Sequence, residues 1–195
     1  MNPPNPPPET TRSRVIESAI ACFRRYGPGG TSMQTIASQA ALGRQTVYRC
    51  FSTRSALLDA IALQRLIMMR DRMRARVNSY ATFDAALSEG TLAVRTIARR
   101  DTVFMMVVEA SGDRGLERYL LRPSAVVRDT MEFIWRDVFE RARARHELRA
   151  DLSNMEIADW LRIVNFTLLL RDDLSNAARK KLIRTFVLPA LTRQR

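Results

Sequence analysis

Three apolar runs with helical spacing, crowded between Thr11 and Phe51 and parted by two short breaks, constrain this chain more than any other feature. From Thr11 to Tyr26, the residues Val15, Ile16, Ala19, Ile20, Phe23 and Tyr26 recur three and four apart, the period of one helix face. GPGG at Gly27–Gly30 stops that helix with a glycine cap followed by proline. Thr31 and Ser32 then offer hydroxyls to the free N–H groups of a second helix, whose buried stripe is Ile36, Ala37 and Ala40. After Ala41, Leu42 and Gly43 a third helix runs from Arg44 to Cys50, with Val47 and Phe51 at i and i+4 on its inner side. Two short helices at a tight turn, backed by a longer one, make a helix-turn-helix.

Ser52 and Thr53 cap a fourth helix from Arg54 to about Val77, whose later turns carry Arg65, Arg70, Arg72, Arg74 and Arg76. Spacing predicts further helices near 83–99, 102–111, 123–146, 154–170 and 176–192, with breaks at 78–80, 111–115 and 149–154. No stretch alternates as a strand would and no repeat is evident, so the class is all-α. A 195-residue chain with 46% hydrophobic and 27% charged residues can bury a real core. Five prolines among the first eight residues favour a disordered, extended arm over residues 1–10. The expected organisation is that arm, a DNA-binding domain over 11–58 and a helical domain over 59–195.

A formal charge of +12 and a pI near 11.1 suit a polyanion, either nucleic acid or an acidic membrane surface. Only Lys180 and Lys181 among the 32 cationic residues are lysines, and the remaining guanidinium groups are planar forks fitted to paired acceptors. Genome composition gives the same bias. Cys22 and Cys50 are too few for a disulfide scaffold and sit in apolar helical patterns, which points to a reducing cytoplasm. No signal-peptide pattern and no apolar run of about 20 residues is present, so neither secretion nor membrane insertion is expected. As for catalysis, the chain has no P-loop, no G-x-S-x-G and no dinucleotide glycine pattern. Its one histidine, His146, reads as a helix C-terminal residue favoured by the dipole. No enzyme, metal or cofactor is expected.

The third helix spans about 10 Å and has the calibre of an element that enters a major groove about 12 Å wide. With Val47 and Phe51 inward, Gln45, Tyr48 and Arg49 fall at i, i+3 and i+4 on the outer face, flanked by Arg44 and Thr46. Glutamine pairs two-pronged with adenine and arginine with guanine, the threonine methyl rests on a thymine methyl, and a tyrosine hydroxyl more often reaches phosphate. The plainer alternative is a solvated polar face.

Residues 11–60 resemble the DNA-binding domain of the TetR family of bacterial transcriptional regulators. The matching residues are Phe23, Gly27, Thr31, Ser32, Ile36, Ala37, Ala40, Thr46, Val47, Tyr48, Phe51, Arg54, Ala56, Leu57 and Leu58. The resemblance implies that Gln34 and Gln45 reach bases, that Thr46 sits at the groove floor, that Tyr48 and Arg54 hold phosphates, and that Ser32 caps the second helix. Arg44 and Arg49 are DNA contacts on their chemistry alone. The chain departs from the family pattern at Ala41, where glycine is usual and where a positive φ costs an alanine about 1 kcal/mol. Gly43 stands where a Ser or Thr cap is frequent, and Cys50 replaces an aromatic.

The resemblance also implies that the remainder dimerises and encloses a small effector. MEIADWLRIVNFTLLL, 155–170, is apolar on most of its circumference, and the last helix is similarly apolar before Pro189. Leu161, Leu168, Leu182 and Phe186 are therefore candidates for a twofold subunit contact, a monomeric core being the alternative. Candidate effector contacts are Met69, Phe104, Met105, Met131 and Trp135, with Met68, Met106, Phe133 and Phe166 nearby in pattern, although apolar side chains line ordinary interiors first. Glu109, Asp113 and Asn165 are the polar candidates. The expectation is a cytoplasmic homodimer that binds a palindromic double-stranded operator and represses until a mostly apolar small molecule releases it. The alternatives are an activator, a ligand-independent DNA binder, or a non-specific nucleic-acid or membrane-surface binder drawing on the arginines of the fourth helix.

Overall fold

The computed structural model describes residues 8–121 and 124–193, with side chains up to Gly112 and again from Ser124. Its helices are α1 Glu9–Tyr26, α2 Met33–Gln39, α3 Arg44–Cys50, α4 Arg54–Asn78, α5 Phe83–Ala85, α6 Thr91–Arg100, α7 Thr102–Leu121, α8 Ala125–Ala144, α9 Asn154–Leu170, α10 Asn176–Leu182 and α11 Leu188–Leu191. Two π-helical segments, Ala86–Gly90 and Ile183–Val187, join α5 to α6 and α10 to α11. Among the described residues the β geometry is a single antiparallel bridge, Leu148 with Thr192. The fold is all-α.

Packing groups residues up to Arg65 together with Thr102–Glu117 in one unit, and Leu66–Asp101 together with residues from Arg118 onward in another. The boundary falls inside α4, a continuous helix. In the first unit α1, α2 and α3 pack on one another around Val15, Ala19, Phe23, Ile36, Ala37, Val47 and Phe51, none more than 2% exposed. In the second unit α8 and α9 form an antiparallel pair, α6 lies along α9, and Ile134, Trp135, Phe139, Ile157 and Leu161 fill the interior. The Trp135 and Phe139 rings stack with centroids 6.2 Å apart.

Several helix bounds differ from those the spacing predicts. α1 starts at Glu9, where the Pro8 carbonyl accepts from Thr11 and Arg12 at 2.9 and 3.1 Å. The rest of the proline-rich arm, residues 1–7, lies outside the described residues. The predicted 83–99 helix contains a π segment that ends at Gly90, where a Cβ would come within 3.1 Å of Val77 Cγ1. The predicted break at 111–115 is a kink inside α7, with Gly112 at φ 54°, ψ −157°. The last helix carries its π segment directly before Leu188–Leu191, because Pro189 has no N–H to continue the i−4 ladder. α8 ends at Ala144, and His146 sits just past that end at φ 56°. There His146 N–H and Glu147 N–H donate to Arg143 O and Ala142 O, each at 2.9 Å, closing the helix as a Schellman motif.

Candidate nucleic-acid interface

The turn between α2 and α3 sets the direction in which α3 presents its side chains. Ser32 Oγ accepts from Thr35 N–H at 3.0 Å and starts α2. At the other end Ala41 N–H donates to Ser38 O at 3.1 Å and Leu42 N–H to Ala37 O at 3.0 Å, the paired bonds of a Schellman turn. That geometry puts Ala41 at φ 49°, in the left-handed region expected from the departure noted above. Gly43 then caps α3 through its carbonyl alone, which accepts from Thr46 and Val47.

α3 separates its faces as the spacing predicts. Val47 and Cys50 are buried, whereas Arg44, Gln45, Tyr48 and Arg49 are exposed and Thr46 is half-buried. The Arg44 guanidinium lies 5.4 Å from the Tyr48 ring centroid, so a cation–π contact groups those two side chains on the outer face. Ser32 and Gln34, at the start of α2, are also exposed.

Arg54 is placed differently from the rest. Its Nη2 donates to Pro28 O at 2.5 Å and the residue is half-buried, so it fastens the first turn of α4 to the GPGG turn. That turn is shaped by glycine: Gly27 has φ 70°, and a Cβ on Gly30 would lie 2.5 Å from Tyr26 O. One positioning residue carries no signal in the apolar pattern. Arg12, on α1, donates from Nη1 to Cys50 O at 2.9 Å and lies 4.2 Å from the Phe51 ring centroid. It satisfies a carbonyl at the negative end of α3 and holds that helix against α1. Burial pushes the Cys22 and Cys50 thiols up, against the pull of Arg25 on the first and of Arg12 and Arg49 on the second. Both cysteines are free and pack as small hydrophobes.

The remaining candidates do not share one environment. Met69, Met131 and Trp135 are buried in the second unit, where Asn165 is half-buried and donates to Leu161 O at 2.8 Å. Phe104, Met105 and Glu109 belong to the first unit, with Phe104 buried and Glu109 exposed. The Asp113 side chain lies outside the described residues. Leu161 and Leu168, candidates for a subunit contact, are 0% and 5% exposed within this one chain, so their side chains are already used by its own core. The large exposed apolar groups on those helices are Met155 at 42%, Trp160 at 44% and Phe186 at 67%, with Leu182 half-buried. A helix apolar on most of its circumference gives no period by which to choose its outer face, which is why Trp160 escaped the sequence reading.

Two arginines of α4 are engaged by side chains of α8 within the second unit. Arg74 makes a two-pronged pair with Asp137, its Nη2 2.8 Å from Oδ1 and its Nε 3.1 Å from Oδ2, and Arg70 and Arg74 lie 4.9 and 4.5 Å from the Phe133 centroid. Asn78 bridges Asp137 and Arg141. No helix of the described residues is long and apolar enough to cross a membrane.

Residues 15–61 match the family model for bacterial regulatory proteins of the tetR family. Over 60 residues the chain is 28% identical to an HTH-type transcriptional repressor of Streptomyces coelicolor, a match that spans 31% of each chain. Among solved structures, the transcriptional repressor QsdR of R. erythropolis superposes with a TM-score of 0.66 at 17% identity, over 97% of this chain and 99% of that one. The Thermus thermophilus repressor FadR, in complex with lauroyl-CoA, superposes with a TM-score of 0.60 at 19% identity, over 89% of each chain. At these identities the shared feature is the fold. Residues 15–61 thus carry the helix-turn-helix sequence of the TetR family of bacterial transcriptional regulators, set in an all-α fold shared with those regulators.

Proposed function

We propose that this protein is a sequence-specific DNA-binding transcriptional regulator, a repressor that a small, mostly apolar molecule releases from its operator. The observation that carries the reading is α3: Val47 and Cys50 anchor it while Gln45, Tyr48 and Arg49 stand on its free face beside Arg44. In that face Gln45 and Thr46 read base edges, Arg44 and Arg49 add guanidinium contacts, and Tyr48, Ser32 and Gln34 complete the interface. The repressor sign is supported by the Streptomyces coelicolor relative, and an apolar effector by the buried Met69, Met131 and Trp135 and by the acyl ligand of the Thermus FadR.

The protein acts as a homodimer on a palindromic operator, with Phe186 and Trp160 at the subunit contact, because a twofold pair of reading helices matches two half-sites about 34 to 36 Å apart. The rival reading as a non-specific polyanion binder loses part of its basis, since Arg70 and Arg74 are occupied by Phe133 and Asp137. Selection of bound duplexes from a random pool tests the proposal. An enriched inverted repeat is the expected result, and a pool that stays random after repeated rounds overturns it.

A further inference from the structure

Four residues with side-chain hydroxyls are buried among the described residues, and three of them return a proton to the carbonyl four residues back: Thr31 to Gly27, Ser88 to Asp84 and Thr130 to Val126. Thr91 does not. Its Oγ1 is buried without a partner although the residue is only 1% exposed. The same holds for Trp135 Nε1, in a residue that is 0% exposed, and for Asn165 Oδ1. Arg70 Nε and Arg179 Nε are unmet as well, but each belongs to a guanidinium held by other contacts, Arg70 by Asp71 and Phe133 and Arg179 by Asn176 and Arg171 O. A buried polar atom left unmet is costly, and the three neutral ones in one helical body ask for a common explanation.

The three atoms belong to neighbouring helices at similar height. α6 runs parallel to α9, since Arg95 Nε donates to Leu168 O at 3.0 Å and Arg99 Nη1 to Leu169 O at 3.2 Å. Thr91 precedes Arg95 by four residues and Asn165 precedes Leu168 by three, so the two stand within about one turn, ~5.4 Å, of each other. α8 runs antiparallel to α9, with Arg143 Nε on Asn154 Oδ1 at 2.7 Å. Counted back from that bond, Trp135 lies within about one turn, ~5.4 Å, of the level of Asn165. The π segment Ala86–Gly90 ends immediately before Thr91, and such widened turns recur at functional sites.

We infer that Thr91, Trp135 and Asn165 form the polar end of the effector site, and that the effector is a neutral molecule carrying a carbonyl beside an N–H or O–H. The inference rests on the effector-responsive reading above and deepens it. Trp135 Nε1–H donates to the carbonyl, Asn165 Oδ1 accepts from the N–H or O–H, and the Thr91 hydroxyl serves either partner. None of the three is charged, and the guanidinium groups one turn away are already paired, Arg162 with Asp159 and Arg95 with Asp172, each at 2.9 Å. A carboxylate would enter this set without a cation, whereas a primary amide satisfies both sides of it.

The chain has two tryptophans, and the other, Trp160, is exposed. In a Trp160→Phe protein, emission therefore reports Trp135 alone. Octanamide is titrated against octanoate and 1-octene, which keep the tail but lose the donor or the whole polar group. Octanamide is expected to shift Trp135 emission and to bind at least tenfold tighter than either. Asn165→Leu and Thr91→Val are each expected to weaken octanamide about tenfold, and Asn165→Leu to raise the Tm of the ligand-free protein by removing an unmet acceptor. Equal affinity for octanamide and 1-octene, tighter binding of octanoate, or no binding of octanamide overturns the inference. So does a fall in Tm with unchanged affinity, which would mean that buried water bridges these atoms. Operator binding is measured on the unsubstituted protein, because Trp160 stands at the proposed subunit contact: its presence without octanamide binding sinks this inference alone, and its absence sinks the DNA-binding reading.

Discussion

Ala41 holds φ 49° so that Leu42 N–H and Ala41 N–H can close α2, and the left-handed conformation costs an alanine about 1 kcal/mol relative to glycine. Ala41→Gly is accordingly expected to stabilise the protein, by less than about 1 kcal/mol because glycine also loses more chain entropy on folding. Chemical denaturation with operator binding measured in parallel checks this: a lower midpoint would show that the turn is not strained. The opposite test is Gly30→Ala, which places a Cβ 2.5 Å from Tyr26 O and should destabilise the first unit by several times that amount. Gln45→Ala should change the preferred operator, since a base-edge pair carries about 1 to 3 kcal/mol of discrimination. Arg54→Ala should weaken all duplexes alike and also lower Tm, because its guanidinium binds Pro28 O. Equal losses for Gln45→Ala on operator and scrambled DNA would remove it as a base reader. The outward set on α3 was legible because Val47 and Phe51 fix which side faces in. The Arg12 and Arg54 contacts were not, since their partners are backbone carbonyls, which leave no mark in a sequence.

At the scale of elements, the order of the main helices follows from apolar spacing and caps, while the π segments that divide 83–100 and 176–191 do not, since one inserted residue only slips the period. The breaks at 149–154 and 171–175 were legible in outline. In the structure the first carries a capping box, where Ser153 Oγ accepts from Glu156 N–H at 3.2 Å and Glu156 Oε2 accepts from Ser153 N–H at 2.8 Å. Helix α9 shows where composition misleads. Leu168 is 5% exposed, so Leu168→Glu buries a carboxylate with no partner and is expected to unfold the second unit. Phe186 is 67% exposed, so Phe186→Glu should leave the unit folded and separate the proposed dimer into monomers. Circular dichroism and sedimentation velocity distinguish these outcomes. A folded Leu168→Glu monomer would restore the first assignment, and a Phe186→Glu dimer would move the contact elsewhere.

At the scale of the whole molecule, the all-α class was legible from the absence of strand alternation, but the grouping of Thr102–Glu117 with the helix-turn-helix unit was not, because packing between residues far apart in sequence has no local signature. The chain of α4 runs unbroken from Arg54, which is fastened to the Pro28 turn, to Arg74 and Asn78, which are fastened to Asp137. We propose that the effector acts through that helix. It shifts the balance only if it binds one arrangement more tightly than the other, and the same factor must then appear when the order of addition is reversed. If octanamide weakens operator binding tenfold, about 1.4 kcal/mol, saturating operator must weaken octanamide binding tenfold. The measurement is octanamide affinity, read from Trp135 emission in Trp160→Phe protein, with and without the selected operator. Asn165→Leu supplies the control, and is expected to bind operator normally and to need about tenfold more octanamide for the same release. Should operator leave octanamide affinity unchanged while octanamide still binds, ligand and DNA are uncoupled, and release from the operator requires a different trigger.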